Sequence, residues 1–227
     1  HYSPSRGHQV IEEILEDFEG YLHTDGYRGY EKFVDKKEVT LVGCWYHVRR
    51  YFVDADKVSS KRGLAFEAIR YCKKLANIER DIKLRKLTPE QTKSVRNHQA
   101  LPIIKQFKEW LDKHASTVLP KSALGKAMHY AHNQWPKLLE YLKDGRLEIS
   151  NNRTERAIKP FVIGRKAWLF SNSVAGVEAS CVIYSLIETC KVHNVEPYSY
   201  LRKVLEKMPS MQTESELQEL LPYNIRL

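Results

Sequence analysis

Two short runs of strand-forming residues, Tyr21–Thr24 and Val39–Trp45, stand near the start of a chain otherwise written in helical spacing, and this change of periodicity limits the folds open to it. Before the first run, Val10, Ile11, Ile14, Leu15 and Phe18 mark one face of a helix expected over Gln9–Phe18, which Gly20 ends. Asp25-Gly26 stops the first strand, and Tyr27, Tyr30, Phe33 and Val34 give a second short helix. Helix, strand, helix, strand at this spacing argues for a parallel sheet with crossover helices, entered at its middle.

The next hundred residues change character. Leu64, Ala68, Tyr71, Cys72, Leu75, Ile78 and Ile82 keep helical spacing, and Thr88-Pro89-Glu90-Gln91 is a capped helix start. Pro102 kinks or restarts that helix; further helical pieces are expected over Ser122–Ala131 and Pro136–Leu142. Residues 49–145 therefore read as a helical insertion between two parts of one core, 1–48 and 146–208, with 209–227 as a tail that docks or frays. After the insertion, Leu147–Ile149 is expected as a strand. A helix capped by Ser150 or Asn151 follows, with Gly164 as its stop; Ala167–Phe170 reads as a strand or buried loop. Helices over Val177–His193 and Pro197–Met208 complete the pattern.

Composition excludes more than it selects. Apolar content of 42% in 227 residues is that of a folded protein, and no run is long enough for a spanning helix. The four scattered cysteines contain no Cys-x-x-Cys pair and read as reduced thiols. A net charge of +9 points toward a polyanionic partner. Most of it lies in Lys61–Ala100, where eleven Lys/Arg face four acids; a solvated helix face and a nucleic-acid-facing surface are equally open readings there.

Three places can carry chemistry. Asp25 sits at the carboxyl end of the first strand, the edge of an open α/β sheet where ligands collect, and its oxygens suit a divalent cation; the plainer reading is a turn aspartate. Glu155 shares a helical face with Ile158 and Val162, an expected buried stripe, amid Asn151, Asn152, Arg153, Arg156, Lys159, Arg165 and Lys166. It is a metal ligand or an Arg-paired structural carboxylate, and the surrounding cations and amides suit phosphates. Cys44 and His47 form a Cys-x-x-His unit without a partner pair at zinc spacing. His47 with Arg49 and Arg50 reads better as a phosphate-facing helix start. Neither a phosphate-binding glycine loop nor a Gly-x-Ser-x-Gly elbow occurs.

These strings resemble one family. Tyr21 to Tyr30, Gly43 to Phe52 (Gly-Cys-Trp-Tyr-His-Val-Arg-Arg-Tyr-Phe), Ile149 to Lys166, Ile183 to Thr189 and Pro197 to Leu201 are similar, in order, to blocks of insertion sequence 66 family transposases. The resemblance implies an α/β fold: an incomplete RNase H-like core, with parallel or mixed sheet and flanking helices, carrying a large all-helical insertion. It makes Asp25 the second aspartate and Glu155 the glutamate of a DDE triad, both binding Mg²⁺ or Mn²⁺. It makes Cys44 and His47 structural or near-site residues. Arg49, Arg50, Asn151, Asn152, Arg153, Arg156, Lys159, Arg165 and Lys166 become DNA contacts.

The implied partner is double-stranded DNA, both transposon ends and target, in the bacterial cytoplasm near the nucleoid, with no membrane; the reading leaves room for a homo-oligomer of the intact protein. The implied chemistry is phosphodiester cleavage followed by strand transfer, with two metal ions stabilising the attacking and leaving oxygens. The first aspartate is expected upstream of His1, whose segment reads as the exit from a third strand. The chain is thus read as a C-terminal portion or a decayed copy, inactive by itself. Its alternatives are a non-catalytic DNA-binding remnant or accessory protein, a general RNase H-like nuclease, and a fragment without a stable fold.

Overall fold

A computed structural model describes residues 2–3, 7–33, 36, 38–59 and 63–225. The expected third-strand exit (Pro4–Arg6), Val34 of the second short helix, Lys61 and Arg62 of the basic region, and the end of the tail lie outside the described residues. The protein is mostly helical, with a small two-stranded parallel sheet. It divides into two compact units: Gly7–Arg153, and a second built on Thr154–Leu227.

In the first unit, α1 (His8–Ile14) leads to β1 (Gly20–Thr24), a 3₁₀ turn Arg28–Phe33 and β2 (Val39–Gly43). The strands pair in parallel with Leu22 beside Leu41 and Thr24 beside Gly43. Strand alternation gives the sheet two faces. Phe33, Val39 and Leu41 are buried on one, with Ile11, Leu15, Phe18, Leu22 and Tyr30 packed against them. Val42 turns the other way, into a core shared by the helices that follow. So α1 is shorter than its apolar spacing suggests, yet Leu15 and Phe18 still close one side of the sheet.

The expected second strand overran its true end. Cys44 is the extended residue that starts α2 (Trp45–Lys57). The Trp45 main-chain N–H donates to Ile149 O (3.1 Å) and its indole N–H to Leu138 O (3.0 Å), so the aromatic belongs to the helical core. Then come α3 (Leu64–Leu84), α4 (Pro89–Val95), a π-helical turn Arg96–Ala100, α5 (Leu101–Ala115), α6 (Ala123–Asn133) and α7 (Trp135–Leu139). Thr88 caps α4 as expected, its hydroxyl accepting from Gln91 N while the Gln91 side chain accepts from Thr88 N. At Pro102 the helix neither stops nor restarts: it runs on from the π-turn through Ala100 and Leu101, both right-handed helical, and the wider turn just before the proline is where the regular ladder is already interrupted. Trp45, Phe52, Phe107 and Trp110 form the aromatic centre of this core, with ring centroids 5.7–6.1 Å apart in each contacting pair.

Arg96 ties these helices together. Only 2% exposed, it donates two hydrogen bonds to Glu79 of α3 (2.8 and 2.7 Å) and two more to the carbonyls of Tyr141 (2.8 Å) and Asp144 (3.2 Å). Leu147–Ile149 is not a strand: Leu147 N closes a turn on Asp144 O. Ile149 O instead receives Trp45 N, which brings the chain back beside the carboxyl end of β2.

The second unit contains α8 (Asn152–Trp168, whose first two residues belong to the first unit), α9 (Val174–Val192), α10 (Pro197–Lys207) and α11 (Glu214–Glu219). Two expectations fail here for one reason. Phe161 and Trp168 meet Tyr184 of α9 edge-on or tilted, at 5.2 and 5.7 Å. Gly164 lies within that contact, not at a helix stop: a Cβ there would come 2.4 Å from the Tyr184 hydroxyl. Helix α8 therefore packs through the Phe161–Trp168 side. The Glu155–Ile158–Val162 stripe expected to be buried is not; Ile158 is 60% and Val162 46% exposed. Leu169 and Phe170, expected in a strand or buried loop, follow the helix with 67% and 74% exposure. The tail docks: Thr213 caps α11, and Leu220 and Pro222 are buried.

Candidate functional site

The carboxyl end of β1 is the best-built polar place in the first unit. Asp25 follows Thr24 directly, is exposed, and accepts the Tyr27 N–H on Oδ1 (2.9 Å), so it is a turn aspartate at the surface. Gly26 has φ +86°, a left-handed conformation that costs a side-chain-bearing residue about 1–2 kcal/mol. A Cβ there would also stand 3.0 Å from Gln134 Cδ and Tyr130 Cε2. The chain thus turns sharply beneath α6.

Helix α6 holds that turn. The Tyr130 hydroxyl donates to Asp25 O at 2.6 Å, and its ring stacks on Tyr51 of α2 with centroids 4.3 Å apart. Burial first, then the negative forms of Cys44, Tyr51 and Asp25, push the Tyr130 hydroxyl well above the usual phenol range, while Arg50 opposes them; it stays a neutral donor at every ordinary pH. Thr24 Oγ1 and Gln134 Oε1 are shielded from solvent without a hydrogen-bond partner among the described residues. On the β1 face opposite Leu22, His23 lies beside the main chain of Glu148, and burial holds its imidazole below the ordinary value.

The other residues read from the sequence fall as follows. Cys44 is buried at the start of α2, and His47 is buried in its first turn, so His47 does not present itself to a phosphate. Arg49 and Arg50, on the same helix, are exposed. Asn151 and Asn152, half-buried, and exposed Arg153 follow Ile149 at the carboxyl end of β2. In the second unit Glu155 is half-buried in the first turn of α8, where the helix dipole favours a carboxylate. Arg156, Lys159, Arg165 and Lys166 are exposed along that helix. The sequence reading missed Tyr130 and Gln134: no local pattern marks them, since Tyr130 meets Asp25 across 105 residues.

Residues 1–179 match the Transposase IS66 family, and residues 185–223 match the IS66 C-terminal element. The chain belongs to the IS66 family of DDE transposases. Its curated relatives include two uncharacterized proteins of Sinorhizobium fredii (strain NBRC 101917 / NGR234). One, y4jD, is 32% identical over 98% of this chain; the other, y4qI, is 29% identical over 99%. The chain spans 44% and 42% of their lengths. No solved structure matches. No helix among the described residues is long and apolar enough to cross a membrane.

Proposed function

We propose that this chain is the catalytic portion of a transposase that cuts double-stranded DNA at the ends of its element and joins those ends to a target. Asp25 and Glu155 are its second and third catalytic carboxylates. The observation that carries this is the placement of Asp25: an exposed aspartate directly after a parallel strand, on a turn clamped from α6 by Tyr130, in a chain of this family. The two strands, with α1 on one face and the helical core on the other, support a reading as part of an RNase H-like sheet.

A divalent cation such as Mg²⁺ or Mn²⁺ fits these donors in kind, since both are hard carboxylate oxygens and Asp25 keeps one of its two clear of the Tyr27 bond. The described residues assemble no group of three or more His, Cys, Asp or Glu side chains at one point. Metal-dependent cleavage is proposed for a longer protein that contains this segment, and the chain by itself is proposed to be inactive. Bound ions of this type supply charge stabilisation to the attacking and leaving oxygens of a phosphodiester. The protein's own residues do the rest. Tyr130 and the Gly26 turn hold the Asp25 main chain. Asn151, Asn152, Arg153, Arg156, Lys159, Arg165 and Lys166, with Arg49 and Arg50, fix the DNA backbone by phosphate contacts. Cys44 and His47 are structural supports at the start of α2. The setting this reading implies is the bacterial cytoplasm, near the nucleoid.

The test is end-specific nicking of an element-end duplex in Mg²⁺ by a longer protein containing this segment. Asp25→Asn and Glu155→Gln are each expected to abolish nicking while leaving duplex binding intact. Nicking by either variant at the parent rate overturns the assignment. Binding without cleavage by the parent itself favours a non-catalytic DNA-binding accessory protein.

A further inference from the structure

Helix α3 is the most basic long helix of the helical region, and its charges are not arranged as those of a merely solvated helix. Arg70, Lys73, Lys74 and Arg80 are all exposed. At 100° per residue they fall within a 120° arc, opposite the side that buries Ala68, Cys72 and Leu75. Single cations on α5, α9 and α10 do pair along their own helix: Lys108 with Asp112, Lys191 with Glu188, Arg202 with Glu206. Among the described residues no acid of α3 pairs with the arc's cations. Glu67 accepts the Trp110 indole N–H (2.8 Å), Glu79 is held by Arg96, and Asp81, the one acid on the arc, pairs with Arg85 beyond the helix end. Among the described residues none of the four cations is in an ion pair; Lys74 alone has a ring contact, 5.5 Å from the Tyr71 centroid. Four cations without an ion pair thus share one face, an arrangement that suits a polyanion.

We propose that this face of α3 is a second DNA-binding surface, engaging the phosphate backbone of a duplex away from the candidate cleavage site. From Arg70 to Arg80 the helix advances about 15 Å at 1.5 Å per residue. Counting both strands, B-DNA carries a charge about every 1.7 Å of axis, so a duplex crossing this face offers phosphates enough for four cations, drawn from its two backbones. Few aromatics stand on the arc, which suits a duplex backbone better than unstacked bases. The contact positions DNA without reading its sequence. It rests on the proposed DNA partner but not on the roles of Asp25 and Glu155.

The experiment measures binding of this chain to a 30-base-pair duplex of arbitrary sequence across a salt titration. The variant Arg70→Gln/Lys73→Gln/Lys74→Gln/Arg80→Gln is compared with one removing four exposed cations elsewhere, Lys105→Gln/Lys113→Gln/Lys121→Gln/Lys126→Gln. Each lost phosphate contact lowers the slope of log K against log salt by about 0.9, so the α3 variant should lose about 3.6 and bind more than a hundredfold more weakly at 0.1 M salt. The control should keep the parent slope. Unchanged slope in the α3 variant, or an equal loss in the control, overturns the proposal. Should the fourfold variant fail to fold by circular dichroism, Lys73→Gln/Lys74→Gln alone should lower the slope by about 1.8, and no change there overturns it equally. Absence of salt-dependent duplex binding by the parent chain would overturn the DNA partner itself, whereas an unchanged slope in the α3 variant overturns only this surface, so the two can fail separately.

Discussion

Replacing Arg96 by Met removes one cation from the interior and strands everything it holds. The Arg96 side chain is 3% exposed and Glu79 16%, and their contact is a two-bond fork at 2.8 and 2.7 Å. Two further bonds reach the carbonyls of Tyr141 and Asp144, and the guanidinium lies 4.9 Å from the Tyr141 ring. Methionine fills the volume and offers no donor. Glu79 is then left charged in a nearly closed place, and breaking such a pair from one side costs about 3–5 kcal/mol. At about 2–4 °C per kcal/mol for a chain of this size, the melting temperature of the Gly7–Arg153 unit should fall by roughly 6–20 °C. The assay is thermal denaturation by circular dichroism at pH 7. Glu79→Met/Arg96→Met should recover most of the loss, because an apolar pair leaves no buried charge. A single variant within about 1 kcal/mol of the parent, or a double variant worse than the two singles together, would refute the reasoning.

Other consequences are smaller or more local. Tyr130→Phe deletes only the bond to Asp25 O and should cost about 0.5–1.5 kcal/mol by denaturant melting, against more for Gly26→Ala, which combines left-handed strain with crowding at Gln134. Burial pushes the Cys72 thiol up to about 12, so iodoacetamide at pH 8 should label it only as the protein unfolds. His23 is held below its ordinary value by burial, so the unfolded chain takes up a proton first as pH falls. Stability present at pH 7.5 should therefore decline once pH drops through about 6.5, and His23→Gln should flatten that decline in melts between pH 7.5 and 5.

Much of this architecture was readable from residues alone because local chemistry decides it. The Thr88 cap, the Gly26 turn and the long α3 stripe are each set by neighbours within a few positions, and all appear where the spacing put them. Where distant packing decides, the reading failed. Gly164 resembles a helix stop, but the partner that demands a glycine is Tyr184, twenty residues on in another helix. Trp45 continues a β-forming run in sequence, yet its indole is claimed by Leu138, 93 residues away. The stripe of Glu155, Ile158 and Val162 is a genuine periodic pattern that α8 does not bury. The candidate site divides the same way: Asp25 is marked by its own strand and turn, whereas Tyr130 and Gln134 reach it from α6 with nothing in the sequence to announce them.

Asp25 and Glu155 are proposed to serve the same cation in the longer protein. Fe²⁺ loaded in place of Mg²⁺ into a longer protein containing this segment, then treated with ascorbate and peroxide, cuts the backbone beside whatever side chains hold the ion. Paired scission near Asp25 and near Glu155 is predicted, with Asp25→Asn suppressing both cuts and Glu155→Gln doing likewise. Scission at one position that persists when the other carboxylate is removed would contradict it.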